Sequence, residues 1–164
     1  MGINQRSDVR MTPTEIWSFV ASQRTSTFVT LGPSGHPHAV AMWYAIVGDK
    51  IWFETKTKAQ KAVNVRRDKR ATVLIEDGQT YDQLRGISLE GRATIVDDPT
   101  ALLAVGVSVY ERYFGPYSEE AMALITEQLR NRVAICFEVE RFRSWDHRKL
   151  GLPATPLSGS TIST

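Results

Sequence analysis

The residues best suited to do chemistry lie between positions 55 and 70. Thr55, Lys56, Thr57, Lys58 and Lys61 come first, followed by Arg66, Arg67, Lys69 and Arg70, and no acid stands between Glu54 and Asp68. The spacing of Ala59, Ala62, Val63 and Arg66 predicts a helix with these four on one face. The lysines then fall at the start of that helix. The N-terminal end of a helix already carries about half a positive charge, so each cation there costs about a few tenths of a kcal/mol. An anion resolves the conflict. Helix amides, two hydroxyls and several ammonium groups form a cradle for a phosphate. The plain alternative is a solvated helix start.

The elements that must position this cluster precede it. His36-Pro-His-Ala-Val-Ala-Met-Trp-Tyr-Ala-Ile-Val47 reads as a strand, Gly48-Asp49 as a two-residue hairpin turn, and Lys50–Thr55 as the returning strand. Glycine fits because the favoured hairpin turns need positive φ. Further upstream, Thr12-Pro13-Thr14-Glu15 is a capping box opening a helix to about Ser22, with Ile16, Trp17, Phe19 and Val20 as its apolar face. Thr27–Leu31 reads as a strand and Gly32–Gly35 as a turn. Downstream, Ala71–Glu76 and Ile87–Val96 read as strands, with Gly91 marking a bulge or a close backbone approach. Helices are expected from Pro99 to about Tyr113 and from Ser118, as cap, to Gln128. Arg132–Glu140 is the last long strand. Five or six antiparallel strands in meander order, with short helices, predict a mainly β (α+β) fold, a partly closed barrel.

The chain has 164 residues, 42% hydrophobic and 23% charged, which is one domain with a full core. We expect a flexible N-terminus over 1–11, a single domain over 12–152 and a disordered Pro/Ser/Thr/Gly tail over 153–164. Twenty basic against eighteen acidic residues leave a net charge of +2, too balanced for a general nucleic-acid binder. No stretch has transmembrane length or signal-peptide character, and the single Cys136 sits in an apolar run. These features predict a cytoplasmic protein that uses neither membrane nor nucleic acid. His36, His38 and His147 form no metal-ligand spacing, and nucleophile elbows, dinucleotide fingerprints and Walker loops are absent. An enzyme with this sequence would take its chemistry from a cofactor.

The order Gly35-His-Pro-x-Ala-Val-x-Met-Trp-Tyr, Ile-Trp-Phe-x-Thr, Lys61-Ala-x-Asn-x-Arg-Arg-Asp-x-Arg70 and Gly86-Ile-Ser-Leu-Glu-Gly-Arg-Ala93 resembles the pyridoxamine-phosphate-oxidase-like superfamily, across roughly residues 14–150. Ser144-Trp-Asp-His-Arg-Lys-Leu150 resembles the actinobacterial flavin/deazaflavin branch that uses coenzyme F-420. The resemblance implies an antiparallel split β-barrel of the FMN-binding type and a homodimer with cofactor sites between subunits. It also implies hydride transfer from reduced deazaflavin to an unsaturated small-molecule substrate. On this pattern Val40, Ala41, Met42 and Trp43 line the ring, and Thr55, Thr57 and Lys61 hold the phosphate. Lys56 and Lys58 meet an acidic extension, and Arg85 and Trp145 border the site from the second subunit. Gln60-Lys61 stands where true pyridoxamine phosphate oxidases carry Arg-Lys, which turns the reading from vitamin B6 oxidation toward the deazaflavin. FMN, which shares the tricyclic ring and ribityl phosphate, is the alternative cofactor, and a non-catalytic cofactor carrier is the alternative function. No side chain is assigned a catalytic role, and no metal is expected.

Overall fold

The computed structural model describes residues 6–157. In chain order the elements are α1 (Pro13–Ser22), β1 (Ser26–Leu31), β2 (Pro37–Met42), β3 (Ala45–Val47), β4 (Lys50–Lys56), α2 (Gln60–Arg67), β5 (Arg70–Asp77), β6 (Arg85–Val96), α3 (Pro99–Tyr113), α4 (Ala121–Gln128) and β7 (Arg132–Asp146), with short 3-10 turns at Tyr81–Gln83 and His147–Leu150. The capping box forms as expected: Thr12 N donates to Glu15 Oε2 at 2.7 Å and Glu15 N to Thr12 Oγ1 at 3.3 Å. Gly48 and Asp49, both at φ 57°, make the β3–β4 turn.

Seven antiparallel strands form one sheet in the order β2-β1-β5-β6-β7-β4-β3. The expected meander is therefore incomplete, because β4 pairs with β7 and not with β5. The expected strand 36–47 is two strands lying at opposite edges of the sheet and joined only by Trp43 and Tyr44. Three consecutive Cα steps reach at most about 11 Å, so the sheet must roll until its edges nearly meet. The roll brings Phe28 of β1 onto Phe53 of β4, ring centroids 4.5 Å apart, at the centre of a core built from Tyr44, Val73, Ile75, Ile87, Ile135 and Phe137. This curled half-barrel with four helices is the α+β split-barrel architecture.

The crossover is held from three sides. Tyr44 is fully buried and its Oη donates to Val20 O at 2.6 Å. Its amide donates to Tyr113 Oη at 3.0 Å, and its carbonyl accepts from Arg112 Nε at 3.0 Å. The same guanidinium donates to Ala21 O and Gln23 O at the end of α1.

Gly91 marks a bulge opposite β7, where a β-carbon would stand 2.0 Å from Glu138 O. Beyond it β7 runs on to Asp146, past its expected end at Glu140. β4 pairs only as far as Phe137, so the later half of β7 has β6 alone as neighbour, and residues 138–143 are exposed. α4 begins at Ala121 with no side-chain cap, three residues after the expected Ser118. Val9 and Met11, in the segment expected to be flexible, are buried. Asp146 N donates to Val9 O at 2.7 Å, and Met11 N to Ser144 Oγ at 3.1 Å. Residues 158–164 of the expected tail, like residues 1–5, lie outside the described residues. Among the described residues no helix is long and apolar enough to cross a membrane.

Candidate functional site

The cation cluster gathers where β4, α2 and the start of β7 meet. Thr55 is buried on β4 opposite Val133, and Lys56 lies opposite Arg132. From the first turn of α2, Lys61 Nζ donates to Thr55 Oγ1 at 3.3 Å. Burial, reinforced by the charge of Arg132, holds the Lys61 ammonium below the usual lysine range. Neither flanking acid neutralises it. Glu54 pairs with Arg132 at 3.0 Å and accepts from Gln128 at 3.1 Å. Asp68 pairs with Arg70 at 2.6 Å, and the Arg70 hydrogen bonds draw its carboxyl down to about 2. A cation that is partly desolvated yet has no acid partner among the described residues is suited to receive an anion.

The helix contributes less charge conflict than expected. It begins at Gln60, with Ala59 as a cap that offers no side-chain hydrogen bond. Lys61 stands in the first turn, while Lys56 and Lys58 precede the helix, exposed and without an ion pair among the described residues. Arg66 and Arg67 lie in the last turn, where the dipole favours them, and both are used structurally. Arg66 donates to Thr57 O at 2.8 Å, and Arg67 donates to Leu31 O. The buried face is Ala62, Asn64 and Val65, and Val63 points outward. Thr57 is also committed, since its amide and hydroxyl both donate to Asn131 O at 2.9 Å.

Of the strand expected to carry a ring, Val40 and Met42 pack into the core. Ala41 and Trp43 are exposed, as is Ala39 on the same face. Trp43 stacks on Tyr113 at 4.3 Å with the rings 8° from parallel. What β2 offers outward is an edge-strand backbone flanked by two alanines, a surface on which a flat molecule can lie close to the main chain. At the α2 end of the strand, His38 Nδ1 is buried with no hydrogen-bond partner among the described residues. Its cross-strand neighbour Thr30 accepts from Asn64 Nδ2 at 3.0 Å, and Asn64 Oδ1 accepts from Gln60 at 2.8 Å. The side-chain amide of Gln60, which is itself exposed, is thereby engaged by Asn64.

Arg85 and Trp145 are neighbours of one another but not of this cluster. Arg85 pairs with Asp77 at 2.7 Å and lies over the Phe19 ring at 5.1 Å, and Trp145 is the cross-strand partner of Gly86. Thr55 lies opposite Val133, so Trp145 is twelve residues, or about 40 Å of strand, farther along β7. One chain thus separates the expected site residues into two groups. Sequence reasoning missed Arg132 and Asn131, which depend on the β4–β7 register, and it singled out His38 as a polar candidate without its orphaned nitrogen, for which there is no local signal.

The family model described as pyridoxamine 5'-phosphate oxidase matches residues 12–146. Among solved structures, a conserved hypothetical protein from Mycobacterium tuberculosis is similar at 54% identity and TM-score 0.93, over 98% of this chain and 100% of that one. An F-420 reductase is similar at 27% identity and TM-score 0.59, over 76% of this chain and 93% of that one. The heme storage protein of Vibrio cholerae, at 15% identity and TM-score 0.63 over 79% and 92% of the two chains, shares the fold. No curated protein matches.

Proposed function

We propose, since the chain belongs to the pyridoxamine 5'-phosphate oxidase family, that it is a coenzyme F-420-dependent oxidoreductase acting on an unsaturated small molecule. The observation that carries this reading is the half-buried Lys61 ammonium beside Thr55 and Arg132, with both nearby carboxylates already engaged. The 27% identity to an F-420 reductase supports the choice of cofactor.

The residues present fit such a group. Lys61 and Arg132 hold its phosphate, and Lys56 and Lys58 attract the acidic extension beyond it. The alanine-flanked edge of β2 seats the flat ring, and the unpartnered His38 Nδ1 lies buried at the end of that strand nearest the phosphate residues. When bound, the deazaflavin supplies a hydride from its ring carbon. The chain supplies orientation and a water-poor surface, and no side chain is assigned as proton donor. FMN has the same ring and ribityl phosphate, and a carrier without turnover would need the same contacts. Those are the readings to discriminate.

We also propose a homodimer, in a cytoplasmic setting. The two groups of site residues, split along β7, become one site only when a second chain brings its Arg85–Trp145 end to the first chain's lysines. Trp17, Val139 and Phe142 leave apolar surface for such a contact, being 43%, 46% and 51% exposed.

Absorbance titration of the purified protein with coenzyme F-420 and with FMN tests the reading, because the two rings absorb at different positions. Saturable F-420 binding together with turnover of an added acceptor is expected. FMN binding alone would move the assignment to the flavin, and F-420 binding without turnover to a carrier. A monomeric mass by light scattering at micromolar concentration would contradict the dimer.

A further inference from the structure

One carboxylate of the lysine cluster is buried. Glu54 leaves 8% of its side chain exposed, against 28% for its partner Arg132, so salt screens this pair little. Glu54 Oε1 accepts from Gln128 Nε2 at 3.1 Å, and Oε2 lies 3.0 Å from Arg132 Nη1. Arg132 Nε in turn donates to Gln128 O at 2.7 Å, so carboxylate and guanidinium are both tied to the end of α4. Glu54 Oε2 makes no directed hydrogen bond among the described residues, which leaves its charge to act on whatever lies beside Arg132.

The charge count follows. Two shielded cations, Lys61 and Arg132, and one carboxylate leave a single net positive charge. Lys56 and Lys58 are exposed, and solvent weakens what they add at the phosphate itself. Phosphates differ in the charge they bring. A phosphomonoester carries close to two negative charges at neutral pH, because its second proton leaves near pH ~6. A phosphodiester lacks that proton and carries one. FMN ends in a monoester, whereas the phosphate of coenzyme F-420 joins the ribityl chain to the lactyl extension and is a diester. The second charge of a monoester would meet Glu54 with no shielded cation left to balance it.

We propose that Glu54 is a specificity-determining residue, which by neutralising Arg132 suits the site to a singly charged phosphodiester and turns it against a phosphomonoester. The proposal rests on the reading above in placing the phosphate at Lys61 and Arg132. Glu54 acts through Arg132 and touches no ligand. If it only tied β4, β7 and α4 together, its loss would weaken every ligand alike.

Fluorescence titration of the purified protein tests it with two ligands on one ring, the ribityl 5'-phosphate of the deazaflavin and the methyl diester of that phosphate. Neither carries the acidic extension, so tail attraction drops out of the comparison. At about pH 8 the parent should bind the diester about tenfold more tightly than the monoester. Glu54→Gln keeps the shape of the side chain, and should bring the monoester level with the diester or ahead of it while moving the diester by less than about threefold. Adding Arg132→Gln to that variant restores the net charge, so the diester preference should return while both ligands weaken. Glu54 is buried, so thermal melts accompany each titration, and the parent's own ratio tests the charge rule where a variant does not fold. A parent that binds the monoester as tightly as the diester, or a ratio unmoved by Glu54→Gln, would overturn the assignment. So would failure of both phosphates to bind a protein that binds F-420. The same pair on the riboflavin ring separates the two proposals, because a diester preference there without F-420 binding would uphold the charge rule and refute the cofactor reading. Failure of every ligand would overturn both.

Discussion

Trp145 lies over the backbone of its cross-strand partner Gly86, so closely that a β-carbon at position 86 would stand 2.4 Å from Cζ2 of the indole. The absence of a side chain at 86 sets the position of an aromatic at the end of β7. Gly86→Ala should therefore push the indole from its seat, with a loss of stability of about 1–3 kcal/mol, the usual cost of overpacking. Denaturant unfolding measures the loss, and a shift in tryptophan emission reports the displaced ring. Unchanged emission with unchanged stability would show that the ring is not held by this contact.

Lys61→Ala should weaken binding of the cofactor by about 1.5–3 kcal/mol, the range for a hydrogen bond to a charged group. Stability should hold or rise, because burial disfavours the charged amine that is removed. Fluorescence titration and thermal melting of one variant measure both effects.

Cofactor choice should respond to salt. Lys56 and Lys58 are exposed, so each adds a modest, screenable attraction for an acidic extension. Coenzyme F-420, which carries a lactyl and oligoglutamate tail, is expected to bind more tightly than FMN at low ionic strength, with the preference shrinking as salt rises. Stronger FMN binding at low salt would favour the flavin.

The buried Tyr44 phenol is pushed up to about 12 by burial, against the opposing charge of Arg112. An unfolded phenol titrates near 10. The folded state thus keeps a proton that the unfolded state loses, and the stability tied to it is complete below about pH 10 and declines as pH rises toward 12. Tyr44→Phe should remove this share of the alkaline decline while costing about 1 kcal/mol at neutral pH, through the lost hydrogen bond to Val20 O. Denaturant midpoints from pH 8 to 11 check both halves.

Local features were legible in the sequence. The Thr12–Glu15 capping box, the Gly48-Asp49 turn and the Gly91 bulge each depend on residues a few positions apart, and each formed. The break between β2 and β3 was not legible, because Trp43 and Tyr44 are good strand formers and only the closing of the sheet forces them out of register. The far half of β7 also escaped, since a strand with one neighbour and two wet faces loses the alternation that announces it. At the lysine cluster, the run 55–61 pointed to an anion by composition alone. Arg132 enters that site only through a pairing between distant strands, and no local pattern encodes such a register.

That pairing also bears on how the molecule assembles. β4 and β7 meet across about 80 residues of intervening chain, so their contact carries the longest loop closure in the sheet, while β3–β4 and β5–β6 are local pairings and β6–β7 closes over α3 and α4. Thr57, Asn131 and Arg132 are brought together only by this long-range pairing. An anion held there binds the folded chain and not the unfolded one, and so would tie the closing of the sheet to occupancy of the site.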